Sequence, residues 1–443
     1  MEYVIKFSED LWSTLVGSLW ARHDVETAAA ILVKSIVANG ATTLVVREVH
    51  ALDEPSYRAR RRDFLELSPS WINDRCREGR ARGLGVLTVH THLHEGRPAF
   101  SWADDQGDAR LLPAMQARVG PAATGSIVVS RDDATSRVLA DGVLAPARLT
   151  VAGRRFHVFP RHVASVSEDH ARQALALGAR GQAALADLRV GIVGLGGTGS
   201  IVHMLLRHLG VKVILAMEHD LLESSNKSRV VGSRSTDPAG AITKIALAER
   251  VTREIQGDEA RLTVFESALV DEGGAHELAS CDLVFSCVDR LLPRALLNSL
   301  AYEAALPIID MGSAFRVDDA GNVVSQGGKV AIVGPGHPCL WCWGDLDSDR
   351  LRAEALSAAE RQSLAAEGYV EGAPTPQPAV IAFNAQLAAA AVTEAMRLVT
   401  GFTGSADPPD RLNFDFSKGT VTRARAQRRA ACPFCAREDA SMA

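Results

Sequence analysis

A glycine-rich stretch, RVGIVGLGGTGS at Arg189–Ser200, constrains the fold of this 443-residue chain more than any other. A β-like run leads directly into Gly194, Gly196 and Gly199, and a helical pattern, GSIVHMLLRHLG, follows them. Glycines with this spacing let the backbone approach phosphates at the positive end of a helix. The stretch therefore predicts a strand, a nucleotide-binding loop and a helix in succession. On this loop alone, NAD and ATP are equally good ligands.

Strand and helix patterns alternate around the loop. A second strand is predicted at VKVILAMEHD, and further strands at CDLVFSCVD and LPIIDMG, with helical patterns between them. Such alternation predicts a mostly parallel, Rossmann-like sheet covered on both faces. Ahead of the loop, SEDHARQALALGARGQAALADL predicts one helix with Ser167 as its cap.

The first third of the chain has a different pattern. Its β-like runs are TLVVREVH, GLGVLTVHTH, GSIVVS and RRFHVF, while VETAAAILVKSI fits either a strand or a buried helix. These runs predict an α+β domain over 1–160, followed by the α/β domain over 161–443.

Composition excludes some functions. A net charge of -5 gives no electrostatic basis for binding nucleic acid. The N-terminus lacks a signal-peptide core, and the apolar stretch AVIAFNAQLAAAAVTEAM is interrupted by Asn384, Gln386 and Glu394. We therefore expect a cytoplasmic protein that binds neither nucleic acid nor membranes.

A histidine-rich stretch, VHTHLHEGRPAFSWADD, ends one predicted strand of the first domain. His90 and His92 are two residues apart on a strand end and project to the same side, and Asp104 could return on a turn as a third ligand. Two histidines, an aspartate and water form an open zinc site that activates water for hydrolysis. From these residues alone, surface-loop histidines are an equally good interpretation.

The surroundings of these histidines resemble the JAMM (MPN-plus) metalloproteases, which include isopeptidases of ubiquitin-like proteins. The family pattern is a glutamate opening an apolar strand, then H-x-H-P and S-x-x-D, and the chain has HDVETAAAILV, HTH and SWAD. The resemblance implies that His90, His92 and Asp104 bind zinc. It also implies that Glu26 is the general base and that Ser101 helps to hold the developing oxyanion.

The sequence departs from that pattern at Leu93, which stands where the family has proline. His94 and Asp105 are therefore alternative ligands, and Glu48 is a rival for the base.

Polar residues after the second strand of the α/β domain favour ATP. Glu218 ends that strand, where an acid suits ribose hydroxyls. Asn226, Arg229 and Lys244 follow, and such side chains would stabilise charge on a departing pyrophosphate, for which a dehydrogenase has little use. Asp289, at a later strand end, suits magnesium.

From about residue 167 to 437 the chain resembles the ThiF/MoeB superfamily, which also contains the adenylation domains of ubiquitin-activating enzymes. HARQ, G-x-G-G-x-G, EHDLLESSNKSR, Lys244, CVDRLLPR and two C-x-x-C pairs occur in the family's order. The resemblance implies ATP and Mg²⁺ as cofactors, held by Gly194, Gly196, Gly197, Gly199, Glu218, Asp220, Asn226, Arg229, Lys244 and Asp289. Arg172 matches an arginine that reaches the ATP of a partner subunit, which implies a homodimer.

The cysteines predict a structural Zn²⁺ site. Cys339 with Cys342, and Cys432 with Cys435, form two C-x-x-C knuckles that together complete a closed tetrahedral site. A redox function for one pair leaves the other unexplained.

A thioester nucleophile is harder to identify. Family members that carry a ubiquitin-like protein onward usually have a cysteine after the first knuckle, but residues 343–431 contain none. Cys287 is a weak candidate, since its predicted strand favours burial. The proline- and glycine-rich segment Glu367–Phe383 is predicted to cross over the active site as a loop.

These features predict a fused enzyme: a JAMM-like zinc peptidase followed by an adenylating domain with a C-terminal zinc-knuckle element. Its expected partner is a ubiquitin-like protein ending in glycine, and a conjugating enzyme is a possible further one. Alternatives are activation of a sulfur carrier or peptide in biosynthesis, a non-catalytic scaffold, and an NAD dehydrogenase supported by the glycine loop alone.

Overall fold

The computed structural model describes residues 2–161, 166–267, 269–270, 274–318, 322–356, 360, 379–402, 404, 408–426 and 428–436. The chain forms two compact units, one mainly Met1–Ala164 and the other mainly Ser165–Tyr302 and Leu306–Arg437. Most of the expected crossover loop, Glu367–Phe383, lies outside the described residues. Within the described part of the chain, every helix is too short or too polar to cross a membrane.

The first unit is built on one eight-stranded sheet. Its elements are β1 Glu2–Ser8, α1 Glu9–Leu19, β2 Ala28–Ala38, β3 Ala41–Ala51, β4 Tyr57–Arg60, β5 Leu65–Leu67, α2 Pro69–Arg82, β6 Gly85–Thr91, α3 Trp102–Val119, β7 Thr124–Val129, β8 Ala134–Ala140, β9 Val143–Ala152 and β10 Phe156–Phe159. The sheet order is β1-β3-β2-β6-β7-β8-β9-β10. Because β1 also pairs with β9, the sheet curls back on itself.

The segment that fitted either a strand or a buried helix is the central strand β2. Its alternate residues enter two cores: Ile31 and Val33 pack in the core that includes α1, whereas Ala30 and Leu32 pack in the core that includes α2 and α3. Since both faces of its first half are covered, residues 28–33 are all apolar and lack the alternation that would have identified a strand.

The second unit contains another eight-stranded sheet. Its elements are α4 Ala171–Ala186, β11 Arg189–Val193, α5 Gly197–His208, β12 Val213–Met217, α6 Lys244–Gln256, β13 Arg261–Phe265, α7 Gly274–Glu277, β14 Leu283–Ser286, α8 Leu291–Glu303, β15 Ile308–Val317, β16 Val323–Val333, α9 Leu340–Trp343, α10 Ser348–Ala355, α11 Ile381–Thr400, β17 Arg411–Asp415 and β18 Thr420–Ala424. The order is β13-β12-β11-β14-β15-β16-β17-β18. The strands from β13 to β15 are parallel, which confirms the mostly parallel sheet, and β16 to β18 add an antiparallel extension.

The helix predicted before the glycine loop is partly wrong. Ser167 precedes a short 3-10 turn, Glu168–His170, without capping it through its side chain, and α4 begins only at Ala171. Gly178 then interrupts α4 with φ 73° and ψ 158°. Glycine tolerates this positive φ, which other residues rarely adopt. The alanine-rich pattern on both sides of Gly178 therefore predicted one continuous helix where the structure has an interruption.

The strand order places the nucleotide loop. β11 pairs with β12 on one side and with β14 on the other, so successive crossovers leave in opposite directions. In open parallel sheets, ligands bind outside the carboxyl ends of the strands at such a reversal. The loop after β11 therefore lies at the crevice of this sheet.

Candidate functional site

Two histidines and one aspartate converge at the end of β6. Asp104 Oδ1 lies 3.0 Å from His90 Nε2, and Asp104 Oδ2 lies 3.3 Å from His92 Nε2. Register fixes the histidines, since His90 pairs with Ala28 of β2 and with Val128 of β7. The structure thus brings together the three residues that the H-x-H and S-x-x-D pattern singled out.

This group has the donors that zinc prefers. The three ligand atoms lie within 4.8 Å of one another. Two imidazole nitrogens and a carboxylate oxygen form a three-ligand site with an open position. Burial alone would raise the pKa of Asp104, but hydrogen bonds from His90 and His92 outweigh it and hold this pKa well below its usual range. The residues present therefore fit a zinc ion.

Ser101 fixes the start of α3, where Asp104 lies. Its hydroxyl accepts from the Asp104 backbone N–H at 3.2 Å, and Asp104 Oδ2 accepts from the Ser101 N–H. This reciprocal capping box satisfies two backbone donors that a helix start leaves free. The structure shows this capping role of Ser101, and its role in holding the oxyanion stays a prediction.

Glu26 lies just before β2 and is buried, with 7% of its surface exposed. Burial raises the pKa of its carboxyl to about 7, an effect that His92 opposes and Asp104 reinforces. A general base works best when its pKa lies near the operating pH. The environment of Glu26 therefore suits the predicted base.

The alternative residues have other contacts, although the centroid of the His94 ring lies 5.8 Å from that of the His92 ring. Glu48 pairs with Leu32, four residues along β2 from the partner of His90, which is about 13 Å at the usual rise of a strand. Its carboxylate is bound by Arg82. His94 is exposed and contacts the Glu95 carbonyl, and Asp105 is paired with Arg137. None of the three joins the His90, His92 and Asp104 group.

In the second unit, the glycine loop makes a tight turn between β11 and α5. Gly194 has φ 88°, a left-handed conformation, and a Cβ there would meet the Cys287 carbonyl. The Leu195 N–H donates to Glu218 Oε2 at 2.9 Å. A side chain from the end of β12 therefore holds the loop.

Glu218 and Asp220 lie together after β12. Glu218 is buried, and its Oε1 also accepts from the backbone N–H groups of His219 and Asp220. Lys244 Nζ lies 3.6 Å from Glu218 Oε2 and 2.6 Å from Asp220 Oδ2. Since the Asp220 side chain is 53% exposed, it is the more accessible acid. The predicted ribose contact of Glu218 stays a prediction.

Two of the predicted phosphate-binding residues, Arg229 and Lys244, border the same loop. Asn226 ends a 3-10 turn, and its amide donates to Ser225 Oγ. Arg229 donates to the Ser225 carbonyl at 2.8 Å. Its aliphatic side chain lies close to Gly197, where a Cβ would contact it. Lys244, the first residue of α6, reaches the loop through Glu218.

Asp289 is exposed in the turn after β14. Two residues earlier, the Cys287 N–H donates to the Val193 carbonyl at the end of β11, so this turn also adjoins the glycine loop. Arg294 ties the turn to β15 by donating to the Val288 and Met311 carbonyls at 2.9 Å each.

Asn384 is a site residue that sequence reasoning missed. It lies buried in the first turn of α11. Its side-chain amide lies so close to Gly197 of the glycine loop that a side chain at position 197 would collide with it. In the sequence, Asn384 stands out only as an amide within an apolar stretch. That observation was used only to argue against a membrane span.

Arg172 is exposed at the start of α4 and, among the described residues, makes no hydrogen bond or ion pair. Its predicted reach to a partner's ATP stays a prediction.

The four knuckle cysteines converge. Cys339 Sγ lies 3.4 Å from Cys432 Sγ, and Cys342 Sγ lies 3.5 Å from Cys435 Sγ. These distances exceed a disulfide bond of about 2.05 Å and are close to the spacing of about 3.8 Å that a tetrahedral ZnS₄ site requires. Hydrogen bonding from Cys339 lowers the pKa of Cys435 to about 5. The four thiols therefore fit a zinc ion.

Cys287 is poorly suited to act as a nucleophile. Burial raises the pKa of its thiol to about 12, although a hydrogen bond with Thr198 opposes the shift. Because the thiolate is the reactive form, the thiol is unreactive at neutral pH.

Comparison with known proteins agrees with these two units. The chain is similar to the molybdopterin-synthase adenylyltransferase of Escherichia coli (strain K12), with 31% identity over 162 residues that cover 37% of this chain and 61% of that protein. It is similar to ubiquitin-like modifier-activating enzyme 5 of Xenopus laevis, with 27% identity over 188 residues that cover 38% of this chain and 45% of that protein. The chain thus spans less than two thirds of either relative's length.

Among solved structures, that of E. coli MccB with MccA matches with a TM-score of 0.49 and 18% identity, covering 62% of this chain and 75% of that chain. The family model for prokaryotic homologs of the JAB domain matches residues 8–138. The ThiF family model matches residues 170–434, which is more than half of the chain. The chain therefore belongs to the ThiF family and carries a JAB-like domain ahead of its ThiF domain.

Proposed function

We propose that the ThiF domain, residues 161–443, uses ATP to adenylate the C-terminal carboxylate of a ubiquitin-like protein ending in glycine. The JAB-like domain, residues 1–160, acts as a zinc peptidase on the same protein. It either trims a precursor to expose the glycine or cleaves a conjugate. The two activities share one substrate tail.

Adenylation needs positive charge beside the phosphates of ATP. A carboxylate oxygen attacks the α-phosphorus, the acyl-adenylate forms, and pyrophosphate leaves with the accumulated negative charge. Arg229 and Lys244 stabilise that charge, and a magnesium ion held at Asp289 would neutralise part of it. The observation that supports this most is that Arg229, Lys244 and the turn that carries Asp289 border the glycine loop, although they come from three separate segments.

Peptide hydrolysis relies on the group at the end of β6. Zinc bound by His90, His92 and Asp104 would supply water activated for attack on a carbonyl. Glu26, with a pKa of about 7, accepts the proton of that water and returns it to the leaving amine. The capping box of Ser101 keeps Asp104 in place.

Further partners follow from the resemblance. Arg172 is proposed to reach the ATP of a second copy, so the working unit is a homodimer. The four-cysteine zinc is structural and attaches the C-terminal segment to the ThiF domain. A conjugating enzyme receives the activated protein directly, since residues 343–431 contain no cysteine.

The proposal is tested by ATP–pyrophosphate exchange with candidate small β-grasp proteins that end in glycine. Wild-type protein should exchange with its cognate partner, and Asp289→Ala should not. The exposed Asp258, which follows α6, provides a matched Asp→Ala control that should exchange normally. A chain that exchanges with none of them, or an Asp289→Ala variant as active as wild type, contradicts the proposal.

A second candidate function is activation of a sulfur carrier or a peptide in biosynthesis. The similarity to a molybdopterin-synthase adenylyltransferase favours it, as does the lack of a cysteine in 343–431. The two candidates differ in the acceptor: a conjugating enzyme should take up the activated tail as a thioester, which an added thiol such as dithiothreitol cleaves by exchange. Formation of a thiocarboxylate or a peptide adduct instead selects the second candidate.

A further inference from the structure

We propose that Arg137 of β8 is a positioning residue for the zinc site, because it holds the start of α3, and with it Asp104, in front of the two histidines. This inference rests on the proposed zinc peptidase. His90 is fixed by the register of β6, and His92 just after it donates its backbone N–H to the Val129 carbonyl. Asp104 instead comes from a separate helix whose place must be set by other contacts.

One guanidinium contacts the chain on both sides of Asp104. Arg137 Nη1 donates to Asp105 Oδ1 at 2.6 Å, and Nε donates to Asp108 Oδ2 at 2.8 Å. Its Cζ lies 3.7 Å from the centroid of the Phe100 ring. Phe100 precedes the helix cap, and the two aspartates lie in the turns after it. Arg137 thus joins the incoming loop and the first turns of α3 to β8.

The Arg137–Asp108 contact is shielded from water, whereas the Asp105 side chain is 55% exposed. The side chains of Arg137 and Asp108 are each 11% exposed, and Ser126 on β7 also donates to Asp108. Ion pairs at this depth constrain geometry more than exposed pairs do. A planar guanidinium can bind two carboxylates while it stacks on a ring, which an ammonium group does less well.

The loop before α3 is held by the same hairpin. Ser130 donates to the Gly96 carbonyl at 2.7 Å, and Thr135 donates to the Pro98 carbonyl at 2.6 Å. The Gly96 N–H donates to Asp132 at 2.7 Å. Leu93 stands in this protein where the JAMM pattern has proline, so the β7–β8 hairpin supplies the rigidity of the loop, and Arg137 extends it to the helix.

The test measures zinc affinity of the full-length chain by competition with a chelating dye. The four-cysteine zinc serves as an internal reference. Loss of a residue that orients a metal ligand typically weakens metal binding about 10- to 100-fold. We expect that loss for the JAB-like site in Arg137→Ala, a smaller loss in Arg137→Lys, and an altered visible spectrum of bound Co²⁺ in both. Arg250→Ala, which removes an arginine that binds both carboxylate oxygens of Asp237 in the ThiF domain, should bind zinc as wild type does.

The outcomes separate the two proposals. Wild-type affinity and spectrum in Arg137→Ala overturn the positioning role. If Arg137→Ala unfolds by circular dichroism, Arg137→Lys decides: unchanged affinity and spectrum overturn the role, and weakened affinity in a folded protein supports it. If wild-type protein binds only the four-cysteine zinc, the proposed peptidase site itself fails.

Discussion

Replacing Glu218 by glutamine should destabilise the ThiF domain strongly, although the two side chains have nearly the same size and shape. The Glu218 carboxylate accepts three backbone N–H groups, from Leu195, His219 and Asp220, and lies 3.6 Å from Lys244 Nζ. A glutamine has one acceptor oxygen, and its NH₂ group must face at least one of these N–H donors. That donor is left unsatisfied in a buried place.

The cost follows from these contacts. An unsatisfied buried donor costs about 1–3 kcal/mol, and hydrogen bonds to a charged acceptor are worth about 1 kcal/mol more than neutral ones. We therefore expect Glu218→Gln to lower the free energy of unfolding of the ThiF domain by about 2–4 kcal/mol. At about 2–4 °C per kcal/mol for a domain of this size, its Tm should fall by roughly 5–15 °C.

The assay is differential scanning calorimetry of the full-length protein, with denaturant unfolding as a second measure. Glu249→Gln, on the exposed side of α6, is the matched control and should change stability by less than about 0.5 kcal/mol. If Glu218→Gln is as stable as the control, then Glu218 does not hold the glycine loop as described.

Three further results are expected. Asp289→Ala should stop exchange and leave hydrolysis of the substrate tail unchanged, since Asp289 lies in the ThiF domain; equal loss of both activities would mean that the domains depend on each other. His92→Ala should reduce bound zinc from two ions per chain to one, measured by elemental analysis, and a wild-type count of one would argue against a metal in the JAB-like domain. Cys287 should resist iodoacetamide at pH 7.5, because a pKa of about 12 leaves its thiol protonated; rapid alkylation located by mass spectrometry would reopen its role as a nucleophile.

Local patterns were enough to predict much of the fold. The strand–loop–helix at the glycines and the parallel strands β12, β14 and β15 follow from alternation of short apolar runs with helical ones. The edge strand β13 was not predicted. The antiparallel strands β16 to β18 carry no such pattern, and β17 and β18 follow a long intervening segment. The pairing of β16 with β17 depends on contacts between residues far apart in the chain, whereas β17 and β18 form a local hairpin.

The candidate sites likewise contain residues that the sequence indicated and residues that it did not. His90 and His92 were singled out because they share one side of a strand end. The resemblance to the JAMM pattern then favoured a zinc site with Asp104 over surface-loop histidines. Arg137 and Asn384 were missed because each is an ordinary residue whose importance comes from its neighbours in space. Residues that support a functional site through their contacts seldom belong to a recognisable sequence motif.

The most direct measurement compares the binding of ATP and AMP to wild-type protein and to Arg229→Ala and Lys244→Ala. If both cations serve one triphosphate beside the glycine loop, each variant should weaken ATP binding at least tenfold more than AMP binding, in the presence of magnesium. Loss of the same size for both nucleotides, or no loss for either, would contradict a shared triphosphate site.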